Sequence, residues 1–122
     1  LYANTKVWVN EPVFINNIKR LLDSGYKVYI TTDHGNVETT SYRRLDGRDK
    51  LGADLSLRHI TINESLDKEI FESSYEGHIE QLSSRDRTYY AVGNEAFMNG
   101  GKCVTHGGLH FLEVLIPFIT ID

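Results

Sequence analysis

Apolar and polar positions along the chain follow a helical period first and a strand period soon afterwards. Glu11-Pro12 is predicted to open a helix with Asn10 as its N-cap, and apolar residues recur at helical spacing as far as position 22. Gly25 suits the C′ position that ends such a helix. Residues 27–32 are β-branched and aromatic and predict the clearest strand of the chain. A helix, a tight turn and a strand make half of a βαβ unit, so the pattern predicts an α/β fold with this strand in a central position.

The rest of the pattern predicts further strands joined by polar loops. A proline within the last of these strands favours an edge position or a bulge. The acidic segment 63–75 is predicted to be a short helix or a loop, and residues 94–102 a turn-rich connector. The alternating segment 6–9 predicts a short strand or the end of a longer element. The other predicted elements are strand pieces at 39–42, strands at 55–62, 87–92 and 115–121, and a short helix at 109–114.

Composition narrows the class of protein without defining it. The chain has 122 residues, enough for one compact domain, and a formal net charge of -4, which argues against a general nucleic-acid-binding protein. A nucleic acid remains a candidate substrate, because a metal ion can supply local positive charge. The one cysteine, Cys103, excludes a disulfide within the chain and suits a reducing, cytoplasmic compartment. No apolar run is long enough to cross a bilayer, so no membrane partner is expected.

Candidate chemistry begins where the clearest strand ends, at Asp33-His34-Gly35. Functional groups in open α/β sheets collect just beyond the carboxyl ends of strands. A carboxylate and a neutral imidazole are both ligands for a divalent transition metal. We expect Gly35 to allow the backbone turn that lets both side chains face one ion. The purely structural interpretation is a strand that ends in a polar turn.

A second cluster of polar residues is His106-Gly107-Gly108-Leu109-His110. Two glycines in a helix interior would cost about 2 kcal/mol relative to alanine, so a helix that carries both histidines on one face is disfavoured. We therefore expect His106 to lie in the turn and His110 in the first turn of the following helix. The purely structural interpretation of His110 is a surface residue at a helix start.

Taken together, the two motifs resemble a known family. Residues 30–35, then Thr105-His106-Gly107-Gly108 and the segment 113–118 are similar to the PglZ domain family of the alkaline-phosphatase superfamily. Asp33-His34-Gly35-Asn36 also resembles the matching motif of cofactor-independent phosphoglycerate mutase, a superfamily relative, but the closing pattern favours PglZ. The resemblance implies part of an alkaline-phosphatase-like mixed sheet flanked by helices. Residues 1–122 are expected to be the C-terminal portion of that domain.

The resemblance also implies roles for single residues. Asp33 and His34 would bind one metal and His106 the other, in a site with two divalent ions, zinc or manganese. His110 stands where the family usually has a small hydroxyl residue, which leaves it open as a ligand, a phosphate contact or a bystander. Glu113 matches a family position and is expected to be structural. The superfamily nucleophile precedes the Asp-His motif, so it is expected outside this chain, and the chain alone is expected to be inactive.

The resemblance implies a metal-dependent phosphatase or phosphodiesterase, attached to further domains and acting on a phosphoester, such as a nucleotide or nucleic acid, in bacterial phage defence. A non-catalytic scaffold or interaction module is the alternative, and phosphotransfer like that of phosphoglycerate mutase is a further one. Arg43, Arg44 and Arg48 follow the Asp-His motif, and their guanidinium groups suit phosphate. A solvated charged loop is the competing interpretation of these arginines. His59 and His78 are expected to be surface or satisfied core residues, and Tyr89 and Tyr90 to serve packing.

Overall fold

The computed structural model of the protein describes residues 2–44 and 53–122 and has the predicted mixture of helices and strands. The chain divides into two compact units, residues 1–33 with 116–122 and residues 34–115. None of the helices in the described ranges is long and apolar enough to span a bilayer. In chain order the elements are α1 (Tyr2–Val9), α2 (Pro12–Asp23), β1 (Val28–Thr31), β2 (Val37–Ser41), β3 (Ala53–Leu55), β4 (His59–Ile62), α3 (Lys68–Ser74), β5 (Ile79–Glu80), β6 (Thr88–Ala91), β7 (Glu95–Ala96), β8 (Lys102–Thr105), α4 (Phe111–Val114) and β9 (Phe118–Ile121).

The two helices of the first unit test the predictions for residues 6–25. Helix α2 begins at Pro12, where the missing N–H costs nothing, and Gly25 follows its C-cap with a positive φ of 82°. Its N-cap is Glu11 rather than Asn10. The Asn10 side-chain amide instead donates to the Lys6 carbonyl, 2.7 Å away, at the end of α1. Of the two alternatives for residues 6–9, the short strand is wrong and the end of a longer element is confirmed, because these residues complete α1.

Strand β1 is confirmed and pairs antiparallel with β9, from Val28 opposite Ile121 to Thr31 opposite Phe118. In the described ranges β9 is the one strand paired with β1, so the predicted central position of β1 is not observed. Pro117 lies immediately before β9 rather than inside it, so the strand begins later than predicted. The Thr31 hydroxyl donates to the Pro117 carbonyl, 2.7 Å away, and fixes the start of this pairing.

The second unit contains two small sheets. One has the order β7-β2-β8, in which β2 runs parallel to β7 and antiparallel to β8. The other is antiparallel with the order β3-β4-β6-β5. The single strand predicted at 55–62 is wrong, because the chain turns back between β3 and β4. The Ser56 hydroxyl closes that turn by accepting hydrogen bonds from the backbone N–H groups of Arg58, at 3.0 Å, and His59, at 2.9 Å.

The hydrophobic core of the second unit lies between its antiparallel sheet and α3. Buried residues alternate along β4 and β6, because every second side chain of a strand points to the same face. Helix α3 presents Phe71 to this face and is capped by the Asp67 carboxylate, which accepts a hydrogen bond from the Ile70 N–H at 3.0 Å. The predicted packing role of Tyr89 is confirmed. The core consists of Ile60, Ile62, Phe71, Tyr75, Tyr89, Ala91 and Phe97.

Candidate metal centre

The predicted ligands Asp33 and His34 lie in the segment that joins β1 to β2. Asp33 is exposed and is the last residue of the first unit before His34, which is half-buried and begins the second unit. The His34 ring nitrogen Nδ1 lies 2.9 Å from the Gly35 carbonyl oxygen. Because a carbonyl oxygen can only accept, Nδ1 carries the hydrogen, and in the neutral ring Nε2 then carries the lone pair that a metal requires.

Gly35 is required by a close approach and not by a left-handed backbone. A methyl group at this position would lie 1.9 Å from the Leu112 carbonyl oxygen, far inside van der Waals contact. The Gly35 N–H donates to the Glu113 carbonyl at 2.8 Å. The glycine was predicted to allow a turn, but its φ is not positive. It lets the backbone of α4 pack directly against the segment that carries His34.

His106 follows β8, and strand pairing brings it to His34. Strands β8 and β2 are antiparallel, with Thr105 opposite Val37, so the end of one lies beside the start of the other. The rings of His34 and His106 are stacked, with centroids 3.7 Å apart and planes 15° from parallel. His106 is exposed and lies in the glycine turn as predicted. Two imidazoles far apart in sequence are thus in direct contact.

His110 is the N-cap of α4, one position before the first turn in which it was expected. Its Nδ1 accepts a hydrogen bond from the Leu112 N–H at 3.1 Å. A ring nitrogen that accepts carries no hydrogen, so the hydrogen of the neutral ring is on Nε2. His110 therefore presents a donor, which suits a phosphate oxygen and not a metal ion.

The same helix start contains a buried ion pair. The Arg58 side chain is fully buried and its Nη2 lies 2.8 Å from Oε2 of Glu113, whose side chain is also buried. Glu113 additionally accepts hydrogen bonds from the backbone N–H groups of Gly108, at 3.1 Å, and His110, at 3.3 Å. Burial alone would raise the pKa of Glu113, but these donors and Arg58 hold it below its ordinary value. The structural role expected for Glu113 is confirmed.

Arg58 is the residue at this site that the sequence analysis missed, whereas its neighbour His59 is the satisfied residue that was expected. Arg58 lies at the start of β4 and donates to the backbone carbonyls of Gly93 and Glu95 as well as to Glu113. His59 Nδ1 lies 3.0 Å from the Gly107 carbonyl and 2.9 Å from the Ser56 hydroxyl. The sequence carried no signal for the burial of Arg58, because a charged residue in a strand pattern is usually exposed.

Two of the arginines predicted to contact phosphate, Arg43 and Arg44, bond to other residues of the second unit. The Arg43 guanidinium lies 4.3 Å from the centre of the Tyr75 ring, and its Nη2 donates to the Ser74 carbonyl at 3.2 Å. Arg44 is exposed, and its backbone N–H donates to Asn99 at 3.2 Å. Arg48 lies outside the described residues. Their phosphate role stays a prediction.

His78 confirms the expectation of a satisfied residue. Its Nδ1 lies 2.8 Å from the Glu95 carboxylate, and its ring stacks on Tyr42 at 3.7 Å.

In residues 2–44 and 53–122, no group of three or more His, Cys, Asp or Glu residues is arranged to hold a metal ion.

Fold and site together define an α/β protein with a histidine pair at one end of the β2–β8 strand pair. A family model described as the BREX system PglZ alkaline phosphatase-like domain matches residues 4–121. The chain belongs to the PglZ family, whose resemblance the two motifs predicted, and thus to the phosphoesterase-like proteins of alkaline-phosphatase type. No curated protein and no solved structure gives a significant match.

Proposed function

We propose that this chain supplies ligands to a two-metal phosphoester hydrolase site. Asp33 and His34 would bind one divalent ion, zinc or manganese, and His106 the other. The observation that carries the proposal is the stacked contact between His34 and His106. The membership in an alkaline-phosphatase-like family supports it independently.

The ring geometry favours two ions over one shared ion. A metal binds an imidazole nitrogen along the lone pair, which lies in the plane of the ring. Rings stacked only 15° from parallel direct their lone pairs into separate, nearly parallel planes, so they suit two neighbouring ions. Two-metal sites hold their ions about 3.5–4 Å apart, which is close to the 3.7 Å between the ring centroids.

Such a pair of ions would stabilise the attacking and leaving oxygens of an in-line displacement at phosphorus. The chain's own residues would hold and orient the group. The Gly35 carbonyl would keep the His34 ring in the Nδ1–H tautomer, so that Nε2 would be the coordinating nitrogen. The Nε2–H of His110 would donate to a phosphate oxygen. No hydroxyl residue of this chain is assigned as the nucleophile.

Substrate and setting belong to the same proposal. A phosphodiester of a nucleotide or nucleic acid fits the two-ion chemistry, and the BREX description of the family supports a role in bacterial phage defence. Local positive charge would come from the ions, which is compatible with the net charge of -4. The exposed Arg44 side chain is proposed as a second phosphate contact.

Calorimetric titration of the chain with Zn²⁺ tests the ligands. We expect measurable binding, reduced at least about tenfold by Asp33→Ala and by His106→Ala, because each removes a ligand directly. His78→Ala is the matched control, because His78 bonds to Glu95 and carries no proposed ligand role. Unchanged affinity in either ligand variant would contradict the assignment. Hydrolysis of bis(p-nitrophenyl) phosphate, measured in parallel, is expected to be absent for the chain alone, and robust turnover would show that a nucleophile has been overlooked.

A scaffold or interaction module is the second candidate, and one observation favours it. Helix α4 exposes three apolar side chains next to the histidine pair, Phe111 at 64%, Leu112 at 53% and Val114 at 60%. Exposed apolar residues at this density are typical of a contact surface. Absence of Zn²⁺ and Mn²⁺ binding at millimolar concentration would favour this function over hydrolysis. No observation favours phosphotransfer like that of phosphoglycerate mutase.

A further inference from the structure

We propose that Arg58 and His59 are positioning residues that hold the glycine turn carrying His106 against His34. The two residues are consecutive at the start of β4, and each contacts a different glycine of the turn. Their importance for metal binding rests on the function proposed above, whereas their effect on the histidine contact does not.

The Arg58 guanidinium packs against Gly108 and supports the turn there. A methyl group on Gly108 would lie 2.6 Å from Arg58 Nη2, so the guanidinium occupies the space that any side chain would need. Glu113 connects the two, because its Oε1 accepts hydrogen bonds from Arg58 Nε, at 3.0 Å, and from the Gly108 N–H, at 3.1 Å. Bidentate pairing of the arginine and the carboxylate fixes both planes, so the position of Gly108 is set by β4.

His59 supports the turn at Gly107. The Gly107 carbonyl can only accept, so its 3.0 Å contact with His59 Nδ1 is a hydrogen bond in the Nδ1–H tautomer, in which the Ser56 hydroxyl oxygen, 2.9 Å away, is a second acceptor. Gly107 has a φ of 102°, a backbone conformation that residues other than glycine rarely adopt. The direction of its carbonyl therefore depends on glycine at this position. Gly107 follows His106 directly, so the hydrogen bond holds the Gly107–Gly108 peptide plane, one residue beyond the proposed ligand.

Glu113 also connects the glycine turn to the segment that carries His34. The backbone carbonyl of Glu113 accepts from the Gly35 N–H at 2.8 Å, one residue after His34. Arg58 therefore reaches one histidine through Gly108 and the other through Gly35, both by way of Glu113. Second-contact residues of this kind orient metal ligands in proteins, and their loss lowers metal affinity about 10-fold to 100-fold.

Two substitutions at position 59 separate positioning from packing. His59→Phe keeps a ring near Tyr90 but has no donor, whereas His59→Asn carries an amide N–H close to the place of Nδ1. We expect His59→Phe to abolish the nuclear Overhauser contacts between the His34 and His106 rings and to weaken Zn²⁺ binding about tenfold. We expect His59→Asn to retain both. Native ring contacts in His59→Phe would overturn the proposal.

Arg58→Lys gives an independent test if His59→Phe fails to fold. Lysine keeps the positive charge next to Glu113 but cannot make the forked contact, so the Gly108 amide should exchange with solvent at least tenfold faster while the fold persists. Unchanged exchange at Gly108 together with native ring contacts would overturn the proposal. Loss of the ring contacts in a protein that never binds Zn²⁺ would reject the proposed function and uphold the positioning role. Zn²⁺ binding by the wild type, together with native ring contacts in both variants, would uphold the proposed function and reject the positioning role.

Discussion

At the scale of single residues, Gly35 shows how one missing side chain allows two distant segments to meet. Its place is filled by the Leu112 carbonyl, which a Cβ atom would approach to 1.9 Å. The obstacle is backbone, so no rotamer change can relieve it. Gly35 thus fixes the distance between the His34 segment and α4, although its side-chain chemistry contributes nothing.

Gly35→Ala is expected to destabilise the protein by about 3 kcal/mol, at the upper end of the usual cost of overpacking. Gly77→Ala is the matched control, because Gly77 has a φ of 79° but nothing within 4 Å of the methyl group that alanine would add, so it should cost about 1 kcal/mol through backbone strain alone. Urea unfolding followed by circular dichroism measures both. Equal costs would show that the helix start can move away from Gly35.

The candidate site could be predicted from the sequence only where residue type carried the chemistry. His34 and His106 were selected by their motifs, and the structure places their rings in contact. Arg58 could not be selected, because a charged residue in a strand pattern is usually exposed and its partner Glu113 lies in another element. His110 was left open because its role depends on which ring nitrogen accepts a hydrogen bond.

At the scale of elements, α3 and β6 are connected by a hydrogen bond at the margin of the core. The Tyr89 hydroxyl donates to Glu72 Oε1 at 3.0 Å. Burial and this hydrogen bond raise the pKa of Tyr89 to about 12, from 10.0 for an exposed phenol. The folded state therefore keeps its proton at a pH where the unfolded chain releases it.

The stability due to Tyr89 should be complete below pH 10 and disappear as the pH rises to about 12. Wild type is expected to lose stability over this interval more steeply than Tyr89→Phe, which has no ionisable group there. Urea midpoints measured at several pH values from 9 to 12 give the comparison. Parallel curves for the two proteins would contradict a raised pKa.

Elements were predicted where turn residues separated them clearly. Helix α2 and strand β1 are bounded by Pro12 and Gly25, and both were found. The turn between β3 and β4 was missed because Ser56-Leu57-Arg58 contains no glycine, proline, asparagine or aspartate, and a serine hydroxyl closes it instead. Residues 6–9 left a short strand and the end of a longer element open, because four alternating residues do not distinguish a strand from the last turn of helix α1.

At the scale of the whole molecule, burial is distributed unevenly between the two units. In the described ranges every buried side chain belongs to the unit formed by residues 34–115. In the other unit, Val13 is 70% exposed and Phe118 is also 70% exposed. The sequence predicted an α/β fold correctly, but it could not predict this division, because periodicity shows which face is apolar and not what covers it.

Amide hydrogen exchange should follow this division. We expect β4 and β6 to exchange at least about 100-fold more slowly than β1 and β9, because strands without buried side chains open at little cost. Mass spectrometry of peptides from the two pairs of strands provides the measurement. Similar protection in both pairs would show that the first unit is stabilised by something other than burial of its own side chains.

The bond between Gly35 and Glu113 also has a consequence for the order of folding. Almost the whole second unit lies between these two residues, so the chain loses a large loop entropy when it brings them together. The hairpin of β3 and β4 needs only a short loop and gains its contacts early. We therefore expect pulse-labelled amides to become protected in this hairpin first and at Gly35 last. If this order holds, a newly made chain is largely folded before the His34 and His106 rings come into contact. Protection at Gly35 before the hairpin would contradict it.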